Sequence, residues 1–205
     1  MANIITVSRE FGSGGRELGK RLADALGFAY YDREIVTTLS KETGMDADVL
    51  EQELEQGVQA NFPFHFAQSF SQLSFAPDTS VNILALQTKL IKEIAEKGDC
   101  VIVGRAADSI LEEYHPFRVF VCADEASKLE RCRQRAPSGE NLTDREILHE
   151  MKRIDRARAF FHDTISDHQW GEKDAYDLCI NTSNTVIKSV VPAIAAYYRL
   201  WKETA

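Results

Sequence analysis

Residues 4–18 read IITVSREFGSGGREL, an apolar run that leads into a glycine-rich turn and then into a helical pattern. Glycine adopts positive φ without a steric penalty, so Gly12, Gly14 and Gly15 allow backbone N–H groups to surround an anion. The start of the following helix adds partial positive charge to the same concavity. The stretch predicts a phosphate-binding loop; a plain strand-to-helix turn is the alternative.

The loop departs from the usual pattern G-x-x-x-x-G-K-[ST] at three of its four defining positions. Glu10 stands at the first glycine, Arg16 at the lysine, and a glutamate at the Ser/Thr position. The planar guanidinium of arginine binds phosphate through two hydrogen bonds, so arginine in place of lysine is not a conservative exchange. Glu17 could bind Mg²⁺ or serve as a favourable acid in the first helical turn. The predicted nucleotide-binding residues are Gly12, Ser13, Gly14, Gly15, Arg16 and Glu17.

Length and composition indicate one α/β domain. The 205 residues are 44% hydrophobic, which suffices for a single packed core. A net charge of -8 argues against nucleic acid as a partner, because general affinity for it needs a basic face. No stretch approaches the ~20 apolar residues of a membrane span, and charged residues interrupt the N-terminal run. We therefore expect a cytoplasmic protein without a membrane partner.

The cysteines give no metal signature. They lie far apart, form no C-x-x-C pair, and show no ligand spacing with the histidines. Zinc is therefore not expected, and any metal is expected to be Mg²⁺ brought with a nucleotide. Reduced core thiols are predicted for Cys100, Cys122, Cys132 and Cys179.

Apolar strand-like runs alternate with helical patterns along the chain. Strands are predicted at residues 4–7, 28–31, 100–103, 118–122 and 176–180. Helices are predicted at residues 15–26, 32–43, 46–55, 79–97, 125–135, 144–161 and 185–201, with another opened by Gly104-Arg105. This order predicts a three-layer α/β fold, a parallel sheet with helices on both faces.

Polar residues directly follow the first three predicted strands. The glycine loop follows the first, Asp32 the second and Gly104-Arg105 the third, so all should meet at one edge of the sheet. Arg105 is predicted to bind a phosphate through two parallel hydrogen bonds, with a helix-surface arginine as the alternative. Asp32 could hold a Mg²⁺-bound water or accept a proton, and a helix N-cap is its other role.

Two arginine-rich helical arms flank residues 137–141. The first contains RCRQR at residues 131–135, and the second contains MKRIDRAR at residues 151–158. In phosphoryl transfer, arginines on a mobile segment neutralise the transferred group and exclude water. Few pairs at helical spacing balance these charges, so a lid is favoured over a solvated charged helix.

The order of these motifs resembles cytidylate kinase and, more closely, the cytidylate kinase-like family whose loop reads SREFGSGGR. Further matching segments are VGR at 103–105, FVCA at 120–123, DRAR at 155–158 and YDLCINTS at 176–183. The resemblance implies a P-loop nucleoside monophosphate kinase fold, one domain over residues 1–205, with an acceptor-binding insert at about 44–80 and a lid at about 131–160. It also implies ATP and Mg²⁺ as cofactors and small-molecule nucleotides as partners.

The same resemblance assigns roles to individual residues. The loop with Arg16 would cradle the ATP phosphates, and Arg105 would bind the monophosphate of the acceptor. Asp108 stands near the place of a base-contacting carboxylate, and Arg153 could substitute for a lid arginine replaced here by Met151. The implied catalytic residues are Arg16, Asp32, Arg131, Arg135, Asp155 and Arg158. The implied substrate-binding residues are Asp32, Arg105, Asp108, Arg153 and Arg156.

An aromatic-rich segment at residues 61–75 lies where monophosphate kinases insert the acceptor-binding subdomain. Its rings could stack a base, form a local core, or make a homodimer contact. The sequence predicts transfer of the γ-phosphoryl group of ATP to CMP or dCMP. A kinase for another small acceptor and a non-catalytic nucleotide- or phosphate-sensing module with a degenerate loop are the alternatives.

Overall fold

The computed structural model describes residues 2–47, 49–50, 77–136 and 142–204. Within them, a five-stranded parallel sheet has the order β2-β3-β1-β4-β5. Its strands are β1 Ile4–Arg9, β2 Ala29–Tyr31, β3 Cys100–Val103, β4 Phe117–Cys122 and β5 Leu178–Asn181. The strand that leads into the glycine loop is thus the central one.

Helices connect and cover the strands. They are α1 Gly15–Leu26, α2 Arg33–Thr43, α3 Pro77–Glu96, α4 Ala107–Ile110, α5 Glu125–Arg135, α6 Asp144–Ile165 and α7 Ile187–Thr204. Two short 3₁₀ turns lie at Glu112–Tyr114 and Lys173–Ala175. Across the described ranges, no helix is both long and apolar enough to cross a membrane.

The central strand shows why the molecule has three layers. Ile5 and Val7 pack into an apolar cluster with α1 and α7, whereas Ile4 packs into a second cluster with α2 and α3. Successive strand residues point to opposite faces, so a strand buried on both sides requires helices on both sides. The predicted three-layer α/β fold is confirmed.

Two boundaries near the loop differ from the sequence prediction. β1 continues past Val7 because Ser8 and Arg9 stay in register with Phe120 and Val121 of β4, and both polar residues are buried. A polar pair ends an apolar pattern, but it does not end the hydrogen-bonded ladder. Arg9 therefore belongs to the sheet.

The helix predicted to open at Gly104 begins instead at Ala107. Gly104, Arg105 and Ala106 all have positive φ, at 73°, 62° and 48°. Three consecutive left-handed residues cannot form the first turn of a right-handed helix. The segment is a tight turn at the end of β3, and its two non-glycine residues are held in a strained conformation that is common at functional sites.

The remaining differences are small or lie elsewhere. β5 begins at Leu178 rather than residue 176, and α6 continues to Ile165. All four cysteines are free, but only Cys100 is buried and Cys179 is exposed, so the prediction of four core thiols is wrong. Most of the predicted insert, including the aromatic segment at residues 61–75, lies outside the described residues.

Candidate active site

The glycine loop joins β1 to α1 at the carboxyl edge of the sheet. Gly14 has a φ of 85°, and its carbonyl accepts the first helical hydrogen bond, from the N–H of Leu18, at 2.9 Å. The N–H groups of Gly15, Arg16 and Glu17 therefore lie ahead of that bond, at the positive end of the helix dipole. This arrangement can bind a phosphate through the backbone.

Hydrogen bonds from outside the loop fix its shape. Ser13 is fully buried, and its hydroxyl donates to the carbonyl of Glu10 at 2.8 Å. The hydroxyl of Thr182 donates to the Ser13 carbonyl at 2.6 Å. Arg131 donates to the carbonyls of Gly12 and Thr182, at 3.4 and 2.5 Å. Arg131 thus supports the shape of the loop, and its predicted catalytic role stays a prediction.

Glu10, at the first-glycine position of the usual pattern, also supports the loop. Its carboxylate accepts hydrogen bonds from the N–H of Ala123 at 3.2 Å and from Nζ of Lys128 at 2.9 Å. Asp155 of α6 accepts from the N–H of Phe11 at 2.6 Å and lies 4.0 Å from the same lysine nitrogen. The loop is therefore tied to both arms of the predicted lid.

Burial raises the pKa of Asp155 to about 6, although the Phe11 N–H and the cations Arg158 and Lys128 lower it. Between about pH 4 and 6 the Asp155 carboxyl is more often protonated in the folded protein than in the unfolded chain. The stability that the carboxyl contributes is therefore largest at low pH and is lost as the pH rises through 6.

We expect Asp155→Asn to remove this pH dependence while keeping an oxygen that accepts from Phe11. From pH 4.5 to 7.5 the free energy of unfolding of the variant should rise relative to wild type by about 2 kcal/mol. Urea unfolding of both proteins at each pH measures the difference. Parallel pH profiles would contradict the burial of a costly charge at this position.

Arg16 and Asp32 meet at the edge of the sheet. Nε of Arg16 forms an ion pair with Asp32, whose side chain is 5% exposed. Asp32 occupies the N-cap position of α2 as predicted, but its side chain makes no capping hydrogen bond and pairs with Arg16 instead. Burial and the Asp32 carboxylate raise the pKa of Tyr30, which stays protonated and donates to Asp32 at 3.5 Å.

Glu17 is engaged by two arginines. Its carboxylate accepts from Nε of Arg21 at 2.8 Å and from Nη2 of Arg135 at 2.7 Å. Glu17 therefore joins the loop helix to the end of α5, and the structure gives no support to the alternative that it binds Mg²⁺.

A cavity of about 550 Å³ opens on the glycine loop. Its volume is within the range of small-molecule sites. Seven arginines and two glutamates line it, an excess of positive charge in a chain whose net charge is -8. These residues are Arg9, Arg16, Arg33, Arg131, Arg133, Arg135 and Arg158, with Glu10 and Glu150. The backbone donors and this charge fit a polyphosphate.

A smaller cavity of about 30 Å³ adjoins the first one. Arg9, Arg105 and Arg158 line it, and Arg9 and Arg158 also line the larger cavity. Arg105 is 6% exposed, so the helix-surface alternative is wrong. A second concentration of positive charge thus lies directly beside the glycine loop.

A buried polar network lies behind the small cavity. The carboxylate of Asp108 is 3.0 Å from Nε2 of His162 and accepts from the Ser8 hydroxyl at 3.4 Å. Burial disfavours the imidazolium, but the carboxylates of Asp108 and Asp163 outweigh that effect and raise the pKa of His162. Asp108 lines neither arginine cavity. Its predicted contact with a base stays a prediction.

Ion pairs lie between the two helices of the predicted lid arms and also within one of them. The pairs are Arg133 with Asp144, Lys152 with Glu125 and, within α6, Arg153 with Glu150. Helical spacing reveals only the last of these pairs, because in the other two the partner lies on another helix. The charges are therefore better balanced than the spacing along one helix indicated. The predicted pair of Asp155 and Arg158 is present at 3.7 Å. The tip at residues 137–141 lies outside the described residues.

Sequence reasoning placed several site residues and missed others. Arg16 and Arg158 line the larger cavity, and Arg105 and Arg158 line the smaller one. Asp32 lines neither cavity and contacts the site through its ion pair with Arg16. Arg156 is exposed and also lines neither. The cavity residues that were missed are Arg9, Arg33 and His162, and Arg133 was predicted only as part of an arginine-rich lid arm. For Arg9 a signal existed, since it directly precedes the loop at the end of a central strand.

Comparisons with known proteins agree with this geometry. The sequence model of the cytidylate kinase-like family matches residues 4–184. No curated protein matches the sequence. The fold is similar to that of an uncharacterized protein from Eubacterium ventriosum, with a TM-score of 0.68, 24% identity, and coverage of 96% of this chain and 98% of that one.

Two shikimate kinases share the fold. The enzyme from Bacteroides thetaiotaomicron has a TM-score of 0.57 and 16% identity, with coverage of 97% of this chain and 99% of its own. The enzyme from Aquifex aeolicus has a TM-score of 0.51 and 16% identity, with coverage of 98% and 99%. At these identities the similarity shows the fold alone.

Proposed function

Since the chain belongs to the cytidylate kinase-like family, we propose that it is a nucleoside monophosphate kinase that transfers the γ-phosphoryl group of ATP to CMP or dCMP. The observation that carries the proposal is the pair of adjoining arginine-lined cavities at the glycine loop, one of about 550 Å³ and one of about 30 Å³. Two neighbouring anion sites are what a phosphate donor and a phosphate acceptor require.

The chemistry needs positioning and charge neutralisation. The bond between the γ-phosphorus and the ADP oxygen breaks, and its electron pair leaves with ADP. A new bond forms from a phosphate oxygen of the acceptor, which attacks as an anion and needs no general base. Arginines around both cavities can neutralise the transferred group and hold the reactants in line.

Mg²⁺ would arrive with ATP and neutralise charge on the β- and γ-phosphate oxygens. The three carboxylates around the loop would support Mg²⁺ binding but not coordinate the ion on their own, because each one already pairs with a cation of the protein. Glu10 pairs with Lys128 and Asp32 with Arg16, while Glu17 is bound by two arginines. Among them, Asp32 lies at the predicted metal and substrate edge and would hold a Mg²⁺-bound water.

The acceptor nucleoside needs more space than the small cavity offers. A volume of about 30 Å³ lies far below the several hundred Å³ of typical small-molecule sites, so the cavity cannot receive a whole nucleotide. We place the base on the predicted insert at residues 44–80. The small volume also favours the second candidate, a kinase for a compact anionic acceptor other than a nucleotide.

An ADP-release assay with ATP, Mg²⁺ and each of CMP, dCMP, UMP, AMP and GMP tests the proposal. Turnover should depend on CMP or dCMP, and chromatography should identify the matching diphosphate. ATP-binding calorimetry on the same sample separates the other outcomes. ATP binding without turnover on any nucleotide would favour another acceptor or the sensing module, whereas absence of ATP binding would contradict both.

Two further features belong to this proposal. ATP is a cytoplasmic donor, so the reaction would take place in the cytoplasm. The homodimer stays a prediction, and the mass of the protein in sedimentation equilibrium would test it.

A further inference from the structure

Arg9 is the last residue of the central strand and carries a buried cation. It is 8% exposed, and its backbone is in register with Val121 of β4. Its carbonyl accepts a hydrogen bond from Nη1 of Arg158 at 3.3 Å. The sheet therefore fixes the base of this side chain more firmly than a loop or a lid could.

Two glycines leave room for the Arg9 side chain. A Cβ on Gly15 would lie 2.5 Å from Cβ of Arg9, and a Cβ on Gly104 would lie 2.7 Å from its Cζ. Real Cβ atoms do not approach other heavy atoms so closely. The side chain thus begins against the phosphate loop and ends across the turn after β3.

This path places Arg9 at the junction of the two arginine cavities, and it lines both. Arg158 also lines both, but it belongs to α6, an arm of the predicted lid, and pairs with Asp155. Arg16, at the usual lysine position, is directed toward Asp32 and does not line the small cavity. Among these three arginines, Arg9 is the one that the sheet holds between the cavities.

We infer that Arg9 is a catalytic residue that binds the γ-phosphoryl group of ATP during its transfer between the two cavities. The inference rests on the proposed function. A cation fixed at the crossing point contacts the group in the donor and again near the acceptor, so it stabilises charge throughout the transfer without moving. ADP lacks that group and makes no such contact.

Calorimetry with ATP·Mg²⁺ and ADP·Mg²⁺, without an acceptor, tests the inference. We expect Arg9→Gln to weaken ATP binding by about 20-fold, the effect of losing one charge-assisted contact, and to leave ADP binding within about twofold. Arg118→Gln is the control, because Arg118 is another strand arginine, half-buried and paired with Asp177, that lines neither arginine cavity. It should change neither affinity.

A glycine pair provides a second test that keeps Arg9 in the chain. Gly104→Ala should displace the guanidinium, whereas Gly27→Ala has the same φ of 73° but nothing within 4 Å of the added Cβ. Both should lose similar stability from the backbone strain. Only Gly104→Ala should lose ATP affinity while keeping ADP affinity.

The outcomes separate the inference from the proposed function. Wild-type protein that binds neither nucleotide contradicts the proposed function. The role of Arg9 alone is overturned if the wild-type protein binds both nucleotides and either variant, Arg9→Gln or Gly104→Ala, loses ATP and ADP affinity equally. It is also overturned if either variant loses neither affinity. If Arg9→Gln does not fold, the comparison of the two glycine variants decides the question.

Discussion

Replacing Arg16 with alanine is expected to lower kcat/KM for ATP by about 1,000-fold, or about 4 kcal/mol, which corresponds to two charge-assisted hydrogen bonds to phosphate. Arg16 stands where the usual loop carries lysine, lines the 550 Å³ cavity and is oriented by Asp32. Steady-state kinetics with ATP as the varied substrate measure the effect. Thermal unfolding of the variant shows whether the fold is retained.

Two variants on the same helix make this result specific. Arg21 is also a half-exposed arginine of α1 and pairs with Glu17, but it does not line the cavity. Arg21→Ala should therefore retain nearly all activity. Arg16→Lys keeps the charge but loses the planar fork, so its activity should fall between the wild type and alanine. Equal ATP kinetics for Arg16→Ala and Arg21→Ala would contradict the assignment.

Replacing Arg105 with alanine is expected to act on the acceptor instead. Its KM for the acceptor should rise by about 100-fold with little change in KM for ATP, because a buried bidentate grip on one phosphate is lost. Arg105 lines the small cavity and not the large one. The two KM values from a bisubstrate kinetic grid test this division of roles.

Two further variants test whether the effect of Arg105→Ala depends on charge and on the position of the arginine. Arg105→Lys should recover part of the acceptor affinity, while the exposed Arg199 of α7 can be replaced by alanine without effect. A parallel rise of both KM values in Arg105→Ala would show that the turn after β3 shapes the whole site. An unchanged acceptor KM would remove Arg105 from the acceptor site.

The sequence was a good guide wherever one residue and its near neighbours decide the outcome. The alternation of apolar runs with helical patterns predicted the parallel sheet, and the glycine spacing in residues 12–15 predicted the loop. Asp32 and Arg105 were found because each directly follows an apolar strand. Their contacts were not, since Arg16 and Asp32 are 16 positions apart and meet only when β1 and β2, with β3 between them, align their carboxyl ends.

Predictions based on spacing along a single helix were less reliable. Arg131 and Arg135 look alike in the pattern RCRQR, yet one supports loop carbonyls and the other binds Glu17. The charges of α6 look unbalanced because a partner such as Glu125 lies on α5. Such pairings depend on how two helices pack, and local periodicity carries no information about that.

By itself, the sequence determined the three-layer fold, the position of the loop and the edge at which polar residues gather. These follow from local rules: burial patterns of period 2 and 3.6, glycine at positive φ, and the shared direction of parallel strands. Only the tertiary structure decided which arginines face the cavities and which serve as supports. It placed Arg9 between the cavities because a buried strand holds its backbone, while Gly15 and Gly104 have no Cβ atoms and so leave room for its side chain.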